Sequence, residues 1–169
     1  MPLPTLADIE AAAQVVYRDF AATPQYRWAL LSERLGTDCW LKHENHTPVG
    51  AFKIRGGLTY FDQLARRGAL PREVVSATRG NHGQSMGWAA RRHGVACTIV
   101  VPRGNSVEKN AAMRALFTDT HNVAEGAGAA AFAAALQEKD RLAGQTVGVA
   151  LTGGNVDADI FSQVLHPAP

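Results

Sequence analysis

Two stretches of this chain follow one plan, and that plan narrows the folds open to it. Glu73-Val-Val-Ser-Ala77 is an apolar run that ends in the glycine-bearing turn Thr78-Arg79-Gly80-Asn81-His82-Gly83, and a helical pattern then runs to Gly94. Gln145-Thr-Val-Gly-Val-Ala-Leu151 repeats the design, passing through Thr152-Gly-Gly-Asn155 into another helical pattern. Strands that alternate with helices in this way form a parallel sheet with helices on its faces. The expectation is a three-layer α/β fold with a mostly parallel sheet and helices on both faces.

Along the chain the periodicity predicts helix 5–20, a helical piece 26–34, strand 39–44, helix 51–67, strand 73–77, helix 82–93 and strand 95–101. Helices 106–117 and 122–142, strand 145–151 and helix 156–165 complete the series. Thr5-Leu-Ala-Asp8 is a capping-box start, with no cationic segment and apolar core of the export type before it, so a cytoplasmic location is expected. The longest apolar stretch, Gly126 to Leu136, is well short of the roughly twenty residues of a bilayer span and reads as a core helix.

Glu44-Asn-His-Thr-Pro-Val-Gly-Ala-Phe-Lys53-Ile-Arg-Gly-Gly57 is arranged as if to present one amine. Gly50 permits a left-handed turn, and Ala51 to Arg67 reads as a helix closed by Gly68, with Lys53 in its first turn. Unsatisfied amides and the positive end of the helix dipole disfavour an ammonium there and favour a nucleophilic amine. Taken alone, a lysine is more often a solvated surface group, and Gly-Asn after a strand is ordinary turn chemistry. A strand–turn–helix nevertheless aims several amides at one spot, which suits a carboxylate or a phosphate.

In this order, the motifs Glu-Asn…Phe-Lys-Ile-Arg-Gly, Gly-Asn-His-Gly-Gln and Gly-Gly-Asn resemble those of the fold-type II pyridoxal-phosphate enzymes, specifically the threonine/serine dehydratase and serine racemase group. The resemblance implies pyridoxal 5'-phosphate as cofactor, held covalently by Lys53, which also moves the substrate Cα proton. It implies that Phe52 packs beside the cofactor ring and that Asn81 partners its phenolic oxygen. Thr78, Arg79, Gly80, Asn81 and His82 would clamp the substrate carboxylate, and Thr152 would set a hydroxyl against the pyridine nitrogen. The implied reaction is β-elimination of L-threonine or L-serine to a 2-oxo acid and ammonia.

The chain departs from the family pattern in three places. Leu116 runs directly into Phe117-Thr-Asp-Thr-His-Asn-Val-Ala-Glu, which is similar to a segment much nearer the family's C-terminus, so the central region with its glycine-rich phosphate cup is missing. Arg79 stands where the racemases carry a serine base, and an arginine is a poor proton acceptor, which favours dehydratase over racemase. Ala51 replaces a common serine. Among the remaining glycines, Gly126-Ala-Gly128 reads as a close packing contact. Residues 50–116 are then expected to be part of the small substrate domain, with 1–49 and 117–169 as remnants of the large one. The alternative reading is a catalytically inactive remnant, at most an association partner of an intact homologue.

A formal net charge of +2 with scattered basic residues gives no support for nucleic-acid binding. Cys39 and Cys97 lack metal or redox spacing, so both are expected as buried free thiols, and the six histidines suggest no metal site. Homo-oligomerisation is expected, because a truncated core exposes apolar faces and strand edges.

Overall fold

Thr5 and Asp8 close the expected capping box: the Asp8 amide donates to the Thr5 hydroxyl, and the Thr5 amide donates to the Asp8 carboxylate. The computed structural model describes residues 3–78, 81–100 and 117–166. In chain order these hold α1 (Leu6–Val16), β1 (Gln25–Arg27), α2 (Ala29–Leu35), β2 (Asp38–His43), a 3-10 turn (Glu44–His46), α3 (Ile54–Arg66), β3 (Glu73–Ala77), α4 (Asn81–Arg92) and β4 (Ala96–Val100). After them come α5 (Ala130–Gln137), α6 (Lys139–Leu142), β5 (Thr146–Leu151) and α7 (Ala158–Leu165). None of the described helices is long and apolar enough to cross a membrane. The predicted helix 106–117 lies outside the described residues except for its last position.

The described chain forms two compact units. The first holds 3–22, 47–78 and 81–100. Ile54, Leu58 and Phe61 recur at helical spacing on α3, are at most 2% exposed, and meet Ala89 and Ala90 of α4 in one core. Burial of side chains this size stabilises by about 1.5–3 kcal/mol each. β3 and β4 pair in parallel, with Val75 opposite Thr98 and Ala77 opposite Val100. Helix α4 packs on this pair, yet Val75 and Val100 are 68% and 56% exposed.

The second unit holds 23–46 and 117–166. Its sheet runs β1-β2-β5, with β1 antiparallel and β5 parallel to β2. Leu31, Leu35, Leu41, Phe132, Leu151 and Val164 are its buried core, drawn from α2, β2, α5, β5 and α7.

The α/β class and the mostly parallel pairing agree with the expectation, and the described strands form two small sheets. Residues 26–34, read as helical, are a strand followed by a helix. β1 is exposed along its length and carries no periodic signal, so its pairing with β2 fixes it. The predicted helix 122–142 starts only at Ala130 and breaks between α5 and α6. Residues 1–49 were expected together, but 3–22 join the first unit because α1 packs on α3.

Candidate active site

Lys53 is positioned by a short, heavily bonded loop. The Gly50 amide donates to Thr47 O at 2.9 Å, and Gly50 takes φ +67°, a left-handed turn that suits glycine. Beyond that turn the Thr47 hydroxyl donates to Ala51 O at 2.8 Å and accepts from the Ala51 amide at 2.9 Å, so one side chain fixes the peptide on both sides of Ala51. Ala51 is fully buried. A serine at that position would have to find room for its hydroxyl.

The structure places Lys53 one residue outside the helix rather than in its first turn: α3 begins at Ile54, and Lys53 is the N-cap. Its carbonyl accepts the Gly57 amide at 3.2 Å, the first bond of the helix, and also the Ser85 hydroxyl at 2.5 Å. The Lys53 and Phe52 side chains are both exposed, Phe52 by 42%. Gly57 makes the approach of α4 possible, since a Cβ there would lie 2.4 Å from Ser85 Oγ and 2.8 Å from Ser85 O.

Of the carboxylate loop, Thr78 and residues 81–82 are described; Arg79 and Gly80 lie outside the described residues. The Thr78 amide donates to Val100 O at 2.8 Å and extends the β3–β4 pairing. That amide is therefore not a donor to a substrate carboxylate. Asn81 is half-buried and opens α4, and His82 beside it is exposed. The N-terminus of this twelve-residue helix is the donor-rich end of the loop.

Thr152 belongs to the second unit, just past β5. The residue is half-buried, and its hydroxyl donates to Ala127 O at 3.4 Å in an exposed, long contact that leaves the side chain weakly held. Gly128 is pressed against the same turn: a Cβ on it would lie 2.0 Å from Gly153 O. A Cβ on Gly154 would lie 2.8 Å from Val123 O. These glycines serve backbone packing, in keeping with the sequence reading of Gly126-Ala-Gly128.

The segment around Asn122 is tied in by polar contacts that the sequence did not announce. Asn122 Oδ1 accepts from Asn45 Nδ2 at 3.3 Å and contacts His46 Nε2 at 2.9 Å. The neighbouring His43 is fully buried and accepts the Trp28 indole N–H at 3.0 Å. Burial, then the nearby His46 and Lys42, hold its pKa below the usual histidine value, while the Asn45 and Asn122 side chains oppose the shift. Burial also pushes the Cys39 thiol up to about 11.

The comparisons with known proteins decide what this lysine-bearing scaffold is. Residues 16–123 match the family model described as pyridoxal-phosphate dependent enzyme. The chain belongs to the pyridoxal-phosphate-dependent enzyme family. Among its relatives, the chloroplastic threonine dehydratase 1 biosynthetic of Solanum lycopersicum is 34% identical over 116 residues, covering 65% of this chain and 19% of the relative. Serine racemase of Bos taurus is 37% identical over 101 residues, 58% of this chain and 30% of the relative. The chain thus spans less than a third of either protein's length. In fold it is similar to a pyridoxal 5'-phosphate-dependent aspartate racemase, with TM-score 0.77, 17% identity and coverage of 94% and 98% of the two chains. It is also similar to the processed form of threonine deaminase isoform 2 from Solanum lycopersicum, with TM-score 0.72, 15% identity and coverage of 97% and 90%.

The donor set fits the reactive end of this family's cofactor. An exposed primary amine at a helix start can reach an aldehyde, and Asn81 offers an amide to an anionic ring oxygen. For the phosphate end the fit is poorer: the turns of Gly128, Gly153 and Gly154 are already filled by backbone, so none of them forms an open cradle.

Proposed function

We propose that this chain carries the lysine-bearing part of a β-elimination site for a small hydroxyamino acid, L-threonine or L-serine. The reading is carried by Lys53 at the N-cap of α3, its carbonyl tied to α4 within the segment matched by the family model. When bound, pyridoxal phosphate supplies an aldehyde for the lysine and an electron-withdrawing ring that stabilises negative charge at the substrate Cα. Lys53 Nζ would hold the cofactor and, once freed by the substrate amine, would take the proton from Cα. The amides at the start of α4 would orient the substrate carboxylate, and so the Cα–H bond, and Asn81 would be the partner for the phenolic oxygen. The resemblance implies Thr152 for the pyridine nitrogen; a neutral hydroxyl there would leave that nitrogen unprotonated, which would suit elimination better than transamination. An arginine at 79 in place of a serine base favours elimination over racemisation.

A second reading, an inactive remnant that at most associates with an intact homologue, is favoured by the exposure of Lys53 and Phe52 and by the filled glycine turns. One experiment separates the two. Purified protein is mixed with pyridoxal phosphate, reduced with borohydride and mapped by peptide mass, with Lys53→Ala as control, and 2-oxobutanoate is assayed with threonine. A Lys53 adduct with turnover supports the enzyme. A protein that acquires no adduct supports the remnant.

A further inference from the structure

Ser85 sits in the interior of α4, is 0% exposed, and directs its hydroxyl away from its own helix to the Lys53 carbonyl 2.5 Å away. A serine inside a helix ordinarily bonds to its own preceding turn or faces water. Here the hydroxyl crosses between two helices and meets the backbone of the one residue on which the proposed chemistry depends. The carbonyl has two lone pairs, and its other one receives the Gly57 amide. Gly57 is also the position whose missing side chain allows the crossing. Three residues therefore form one device: Gly57 lets α4 approach, Ser85 reaches across, and the Lys53 peptide is held from two directions.

The geometry points to Ser85 as a positioning residue that fixes the Lys53 peptide, and so the root of its side chain, relative to α4, whose N-terminus bears Asn81. The lysine side chain is exposed and its own atoms do little to confine it. A fixed N-cap peptide is what limits where its amine can swing. The inference rests on the cofactor reading above for its chemical meaning, while the tie itself is a property of the protein alone.

The test compares the full-length protein with Ser85→Ala and Gly57→Ala, singly and combined. Each is treated with pyridoxal phosphate and borohydride, and the adduct at Lys53 is measured relative to that at exposed Lys139 in the same sample. Hydrogen exchange of the α3 amides from Ile54 to Leu58 is recorded without cofactor. Ser85→Ala should lower the Lys53 to Lys139 ratio roughly fivefold, the equilibrium worth of a typical net hydrogen bond, and speed exchange at Gly57 by a similar factor. Gly57→Ala should do the same with the hydroxyl still present, and the combined variant should add little, because both act through one contact. Unchanged labelling and unchanged exchange in Ser85→Ala overturn the inference and leave the cofactor reading intact. If the unaltered protein gives no adduct at Lys53, the cofactor reading fails, and the exchange arm alone decides whether the tie exists.

Discussion

Removing Arg34 should destabilise the second unit more than removing its partner, although the two side chains make one contact. Arg34 Nε and Nη2 donate to the two carboxylate oxygens of Asp119 at 2.6 and 2.9 Å, joining α2 to the segment that leads to Asn122. The side chains are unequally exposed, 45% for Arg34 and 4% for Asp119. In Asp119→Ala the guanidinium returns to water, so the loss is that of a charge-assisted fork, about 1–2 kcal/mol after allowing for solvent at Arg34. In Arg34→Ala a carboxylate stays behind with water largely excluded, and breaking a buried pair in this way costs about 3 kcal/mol or more. The combined variant removes the stranded charge and should regain ~1 kcal/mol over Arg34→Ala. Urea unfolding followed by circular dichroism measures all three, provided the slope with denaturant is unchanged. Equal costs, or a larger cost for Asp119→Ala, refute the argument from burial.

Other perturbations test other contacts. Gly128→Ala should destabilise by about 1–3 kcal/mol or more, since its Cβ would meet the immovable Gly153 carbonyl, and a thermal melt reads the loss. The depressed pKa of His43 means that the unfolded chain binds more protons, so the stability it contributes is present above about pH 6.5 and declines as pH falls below that. His43→Gln should flatten the melting temperature between about pH 5 and 7; an unchanged slope would locate the titration elsewhere. Cys39, fully buried with its thiol pushed up to about 11, should resist alkylation at about pH 8 until the protein unfolds, whereas half-buried Cys97 reacts first.

Much of the architecture was legible because it is local. The span 73–77 was read to the residue, α4 and β5 to within one, since each combines a period of apolar residues with a glycine or cap at its end. The lysine motif was legible as well, because Gly50 must turn and Phe52-Lys53 must follow it. β1 was not, because three exposed residues have no pattern of their own and become a strand only by pairing with β2.

The alanine-rich run also looked like one long helix. Its first turns are set instead by contact with the Gly153–Gly154 loop, distant in sequence, so the helix waits until Ala130. Sequence by itself determined which residues are the candidates for the proposed chemistry: an amine at 53, an amide at 81, a hydroxyl at 152. Only tertiary structure decided that the Thr78 amide belongs to the sheet and that Ser85 belongs to Lys53. The physical reason is one of range. Side-chain period and turn geometry act over a few neighbouring residues, whereas a hydrogen bond across 32 positions exists only after α3 and α4 have packed.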